Sequence, residues 1–225
     1  MDNVIANAVK QSGFCVSPDC FTPRNDVIFF MRLFCVLLLA TACANSPSVI
    51  IEGALPDNKY DNEWVYWVPV DGTSARTVDS IRIHNDSFKL VISAHNHHKM
   101  GFVRVRPALR LALQEIIVLA EAGTVQVRLD SISSATGTPL NEVLQNWKNR
   151  RLVYDTEVYS IKKNTLTANV NDSQEIKEAI DNATAAYYND IYQIILDNKE
   201  NAAGRFIYSL HKSFYSPEQI IRIEN

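Results

Sequence analysis

Beyond position 43 the 225-residue chain has no cysteine. Its four, Cys15, Cys20, Cys35 and Cys43, all fall in the first fifth. That excludes a disulfide, a thiolate metal site or a dithiol active site in the rest of the chain. Glycine is scarce, with seven residues in all, and none builds a phosphate-cradling loop. Nucleophile-elbow and HExxH patterns are missing as well, so no cofactor is expected. Neither sign of charge dominates: 22 basic against 25 acidic residues leave a net charge of -3. That balance carries no nucleic-acid footprint. What is present is 47% hydrophobic content with charges and aromatics spread along the chain. This argues against disorder and suffices for one ordinary domain, or a domain with an appendage.

The most apolar run, VIFFMRLFCVLLLATA at residues 27–42, is broken by Arg32. It is shorter than the roughly 20 residues a spanning helix needs. Met31-Arg32 followed by LFCVLLL has the layout of a secretory signal, a positive start and a short apolar core. Ala40-Thr41-Ala42-Cys43 then places small residues directly before a cysteine, the pattern that lipoprotein signal peptidases read. The leucine usual three places before the cysteine stands one step further back, at Leu39. A buried helix with an incidental cysteine is the competing view, but Asn45, Ser46, Pro47 and Ser48 follow at once and suit a tether. Asp2, Asp19 and Asp26 outweigh Lys10 and Arg24, which is wrong for a signal's start, so the expectation is a true start at Met31. The expectation is a signal segment over residues 1–42 and a lipidated tether over 43–48. Cys43 would be the single cysteine of the mature chain. Its role would be anchorage to the membrane through acyl chains such as palmitate, not chemistry. Ala44-Asn45-Ser46 lacks an acidic run associated with surface export, so a periplasm-facing anchor in the outer membrane is expected.

Residues 49–135 have period two and are rich in β-formers. VIIEG (49–53) opens the stretch and WVYWVPV (64–70) follows, closed by Asp71-Gly72. VDSIRI (78–83) and FKLVI (88–92) flank the turn Asn85-Asp86-Ser87 and read as a hairpin. FVRVR (102–106), EIIVL (115–119) and VQVRL (125–129) complete the set. Short strands without crossover helices predict a mainly antiparallel sandwich or barrel.

Residues 137–225 change to helical spacing. Thr138 suits an N-cap and Pro139 the first helical position. Leu140, Leu144, Trp147 and Val158 recur along one face. Asp172-Ser173-Gln174-Glu175 has the form of a capping box. Ile176, Ile180, Ala183, Tyr187, Ile191, Ile194 and Ile195 draw a second stripe. A break is predicted near residues 201–204, and Ser216-Pro217-Glu218-Gln219 starts a last short helix. The fold class is therefore α+β, a sandwich- or barrel-like β domain followed by a helical segment.

Five short motifs in order carry a resemblance: Glu52-Gly53-Ala54-Leu55-Pro56, Val78-Asp79-Ser80 with Phe88, Glu121-Ala122-Gly123-Thr124-Val125, and Gly137-Thr138-Pro139-Leu140-Asn141. Together they resemble the domain of unknown function found N-terminal to thioredoxin-like domains in Bacteroidetes lipoproteins. Those domains are similar to the alkyl hydroperoxide reductase and thiol-specific antioxidant group. The resemblance covers about residues 49–149 with motifs. It implies a small β domain, a helical connector and often a C-terminal thioredoxin fold. The 225 residues hold no C-x-x-C, so no catalytic residue of that group maps onto them. Two functions follow as expectations. One is a non-enzymatic, lipid-anchored module that binds another envelope protein or a small ligand. The other is the N-terminal fragment of a thiol-disulfide oxidoreductase without its catalytic half.

His95-Asn96-His97-His98 is the one cluster with metal-ligand composition. In an extended segment His95 and His97 would share a face and could hold zinc or copper; a polar loop is the plainer expectation. Trp64, Tyr66 and Trp67 could form a flat binding surface or pack in the core. Arg104, Arg106 and Arg110 could meet an anion or form a solvated strand face. Tyr187-Tyr188 could present a partner-binding helix face or face the core. Asp79-Ser80-Ile81 and Asp130-Ser131-Ile132 fit a short pattern that is O-glycosylated on exported proteins.

Overall fold

Eight strands come first and helices follow. The computed structural model describes residues 48–72, 74, 76–106, 112–168 and 173–225. Cys43, the predicted signal and the predicted tether up to Pro47 lie outside the described residues, as do Arg110 and Asp172. The strands are β1 (Val49–Ala54), β2 (Trp64–Pro69), β3 (Asp79–Arg82), β4 (Ser87–Val91), β5 (Met100–Arg106), β6 (Ile116–Leu119), β7 (Gly123–Arg128) and β8 (Ser134–Thr136). They form two four-stranded sheets, ordered β4-β1-β7-β8 and β3-β2-β5-β6. Val49, Ile51 and Val125 of the first sheet share one buried cluster with Val65, Trp67 and Val103 of the second. The two sheets therefore face each other across a common core, and the fold is α+β. Period-two alternation produces this directly: in β4, Phe88 and Leu90 are buried while Ser87, Lys89 and Val91 are exposed.

All pairings are antiparallel except β1 with β7, which run parallel with Ile51 opposite Val125. A parallel pair needs a long crossover, usually a helix. Here the intervening chain supplies it by passing through the second sheet, so the lack of a crossover helix did not forbid the pair.

The predicted hairpin of β3 and β4 has its turn but not its ladder. Asn85 and Asp86 both take positive φ, 51° and 58°, as a two-residue turn demands. Asp61 fastens the turn by accepting from the backbone N–H of Asn85 at 3.3 Å and of Asp86 at 3.1 Å. One bridge, His84 to Ser87, spans it. The chain then parts: β3 pairs with β2 in the second sheet and β4 with β1 in the first. The turn is a corner of the sandwich, and Ile83, fully buried, fills it.

Cross-strand packing explains two glycines. The Phe88 ring lies over Gly53 and the Trp67 indole over Gly101, where a Cβ would come within 2.0 and 2.2 Å of ring carbons. Only glycine leaves room for rings this close to the backbone.

The helices are α1 (Pro139–Ala168), α2 (Ser173–Asn198), α3 (Ala202–His211) and α4 (Pro217–Glu224). At about 1.5 Å per residue, α1 is ~45 Å long. Its first half packs on β6 and β8, the outer strands of the two sheets. Further along α1, Tyr154, Val158 and Ile161 are half-buried among exposed neighbours, and the helix packs against α2. Tyr187, Ile191 and Ile195 of α2, Ile207 of α3 and Ile223 of α4 form a second core, which Leu119 and Leu144 join. The predicted break falls just before α3: Asn201 caps that helix by accepting from Gly204 N–H at 2.9 Å. The capping box at Ser216 and Gln219 is present in full. Strands and helices belong to one compact unit, Ser46–Asn225. Among the described residues no helix is long and apolar enough to cross a membrane.

Candidate functional site: a cleft between sheet and helices

The start of α1 is held to the strand edges by side-chain bonds. Asn141, fully buried, accepts from the Leu119 N–H at 2.9 Å and donates to the Leu119 carbonyl at 2.9 Å. It treats the outer edge of β6 as a neighbouring strand would. Its amide also donates to Thr138 Oγ1 at 2.8 Å. Gln145, one turn on, accepts from Ala135 N–H of β8 at 2.8 Å. The Glu121 carboxylate accepts from Leu140 N–H at 3.0 Å, which places negative charge at the positive end of the helix. One edge of each sheet, β6 in the second and β8 in the first, is thereby bonded to the helix, which limits adventitious pairing there.

Helix α1 continues past β6 and leaves a cleft against the outward face of the second sheet. Its volume is about 460 Å³. Phe102 and Ile117, opposite each other in the β5–β6 ladder, line the sheet side. Lys148, Arg151 and Leu152 come from α1, Phe206 and Leu210 from α3, and Ile132 from the loop before β8. The indole of Trp147, also in the lining, meets the Phe206 ring edge-on at 6.1 Å. A second, more open groove of about 600 Å³ lies along β1, β4 and β7. Its polar groups serve each other: Glu52 pairs with Lys89 at 2.9 Å and accepts from Gln126 at 3.1 Å. The cleft is the better candidate because its lining is mainly apolar.

Charge in the cleft is unevenly satisfied. Asp155 accepts from Arg151 Nε through both oxygens at 2.9 Å. Glu115 pairs with Arg104 at 3.5 Å. Half-buried Lys148 has no ion pair among the described residues, and burial lowers its amine to about 8.

Behind the cleft lies an aromatic group. Tyr187 stacks on Tyr154 at 4.7 Å, and Tyr188 stacks on Phe214 at 4.4 Å. The Tyr187 hydroxyl lies 3.2 Å from Nε2 of buried His211, whose Nδ1 is 2.8 Å from the Ile207 carbonyl. Nδ1 therefore carries the proton that the carbonyl accepts, and Nε2 accepts from the tyrosine. Burial holds His211 below its ordinary 6.5. The unfolded chain then takes up this proton first as the pH falls, so stability declines below about pH 6.5. The slope due to His211 is at most about 1.4 kcal/mol per pH unit. Urea unfolding at pH 7.5 and 5.5 measures it, and His211→Phe should flatten it. An unchanged slope in that variant would place the effect elsewhere.

The other candidates from sequence disperse. Residues 94–96 form a 3-10 turn in place of an extended strand, so His95 and His97 lose the shared face. Asn96 is buried and anchors the loop, donating to Asp79 Oδ2 at 2.9 Å and to the Thr77 carbonyl at 2.9 Å. Asp79 also accepts from Ser93 N–H and its hydroxyl. His97 Nε2 is 3.2 Å from the Ile92 carbonyl, and His95 is exposed. Among the described residues no group of three or more His, Cys, Asp or Glu side chains could hold a metal. Trp67 belongs to the core. Trp64 is exposed, with the Arg82 guanidinium 4.7 Å over its ring. Tyr187 is buried. Ser80 is exposed on β3, and Ser131 lies in the loop after β7. Lys148 gave no sequence signal beyond being a lysine one residue past Trp147 on a helix.

The fold and cleft define a class: an α+β protein with a two-sheet sandwich that carries a helix along one edge of each sheet. Comparison with protein-family models, curated proteins and solved structures returned no match.

Proposed function

We propose that this chain is a lipid-anchored binding module of the cell envelope, attached through Cys43 and facing the periplasm from the outer membrane. It acts without catalysis and takes a small apolar ligand into the cleft. The observation that carries the ligand half of this reading is the cleft itself. Its volume, about 460 Å³, falls within the range of small-molecule sites. Its lining has their composition too, apolar and aromatic with a few polar groups. The anchor half rests on Ala40-Thr41-Ala42-Cys43 and the apolar run before it. A lipid on Cys43 would hold the cleft close to the membrane, where apolar compounds concentrate.

Metabolic labelling of the expressing bacterium with a tagged palmitate tests the anchor. The expected result is a labelled band that partitions into detergent, and Cys43→Ser should lose both label and partitioning. Retention of the label in that variant would overturn the anchor. Binding of a neutral naphthylamine dye tests the cleft. Its fluorescence should rise on binding, and Phe206→Asp should abolish that rise in a variant whose circular dichroism is unchanged.

A further inference from the structure

Deepening the proposed ligand site, we infer that the cleft selects an apolar carboxylate, an acyl-chain acid of medium length whose anionic end pairs with Lys148. The inference rests on the cleft being the ligand site and adds the charge of the ligand.

Charge complementarity carries it. An apolar site gains nothing from a lone amine unless that amine meets an anion, because desolvating a charge without a partner is costly. The other charged groups facing the cleft are Glu115, Arg151 and Asp155. Arg151 holds Asp155 through Nε at 2.9 Å, and Glu115 faces Arg104 at 3.5 Å. Both lining carboxylates therefore have an arginine already. From α3 the lining residues are Phe206 and Leu210, neither of them charged. The positive charge of Lys148 is left for the ligand. Beyond it, Leu152, Phe206 and Leu210 offer apolar surface for a chain.

The class of anion follows from the donors. Phosphate sites gather several donors, typically arginine forks or backbone N–H groups at a helix start. Among the described residues lining the cleft, the cation without an ion-pair partner is an ammonium, and the Arg151 charge is paired with Asp155 through Nε. That suits a single negative charge. Binding would restore the amine's preference for its proton, so affinity should fall as the pH rises past 8, the value to which burial brings the free amine.

Calorimetric titration of the full chain carrying Cys43→Ser, which has no acyl chain of its own to compete, tests this with decanoate and decanol. At pH 7 decanoate should bind at least ten times more tightly than decanol. Lys148→Met should bring the two within twofold, and Lys148→Arg should keep the preference. Between pH 7 and pH 9.5 decanoate should weaken severalfold while decanol stays level. Equal binding of acid and alcohol by the unmodified cleft would overturn the charge selection and leave the cleft standing. A preference that survives in Lys148→Met would also overturn it. Binding of neither compound would remove the cleft as a site.

Discussion

Asn141→Leu is expected to destabilise the protein by about 3–5 kcal/mol. The two side chains have the same number of heavy atoms and the same branching, so the main cost is polar. Asn141 satisfies both backbone groups of Leu119, which is buried. Leucine would leave that N–H and carbonyl without partners beneath a helix, and each buried orphan costs about 1–3 kcal/mol. The bond to Thr138 Oγ1 goes as well. Gln145→Leu is the natural comparison. It removes the bond from Ala135 N–H and an exposed one to Asn149 Oδ1, and should cost about 1 kcal/mol. Urea unfolding followed by circular dichroism measures both. A loss below about 1 kcal/mol for Asn141→Leu would mean that water reaches the edge of β6. The helix would then not seal the sandwich as the geometry indicates.

The contrast between Asn141 and the strands shows what a sequence can carry. Alternation in FKLVI or VQVRL reports directly which residues face inward, because a strand's period is fixed at two. Seven strands and the α+β order follow from that signal. Topology does not, since it depends on where partners lie in space. The Asn85-Asp86 pair specifies a tight turn in the same way whether its flanking strands pair with each other or with separate sheets. Only the buried Ile83 and the bonds from Asp61 decide for a corner. β8 leaves no such signal, because its three residues, Ser134–Thr136, are too few to show a period.

Site residues were harder to read for a related reason. Histidines 95, 97 and 98 drew attention by composition, yet the residue that shapes their loop is Asn96, through its amide bonds to Asp79 and Thr77. An asparagine between histidines looks like loop polarity until its burial is known. Arg104, and Trp64 and Tyr66 of β2, lie on the second sheet, yet none of them lines the cleft. What makes the cleft is α1 passing over the outward face of that sheet together with α3, and helical periodicity gives a buried stripe without saying what it covers. Lys148 stands next to Trp147 on the boundary of that stripe, a position where lysines ordinarily keep the amine in water.

That placement leads to the second large effect, opposite in sign to the first. Lys148→Met should stabilise the folded protein by about 1–2 kcal/mol at neutral pH. Burial lowers the amine from 10.5 to about 8. The unfolded chain therefore holds this proton more strongly than the folded one. Below pH 8 both states are protonated and the folded state bears the full cost of a poorly solvated charge. A gap of that width corresponds to at most about 3 kcal/mol. Because the residue is half-buried and the amine keeps some contact with water, about half of that is expected. Between pH 8 and 10.5 the unfolded state still holds the proton and the folded state does not, so the penalty shrinks and then vanishes. The variant's advantage should shrink with it. Thermal melts at pH 7 and pH 10 provide the check. For a chain of this size 1 kcal/mol moves Tm by about 2–4 °C, so the variant should melt several degrees higher at pH 7 and nearly level at pH 10. An equal gain at both values would assign the effect to packing by methionine and not to relief of the charge. A loss at both would mean that the amine is already well solvated. A stabilising substitution that also removes the preference for an acid over an alcohol is the signature of a residue retained for binding at a cost to stability.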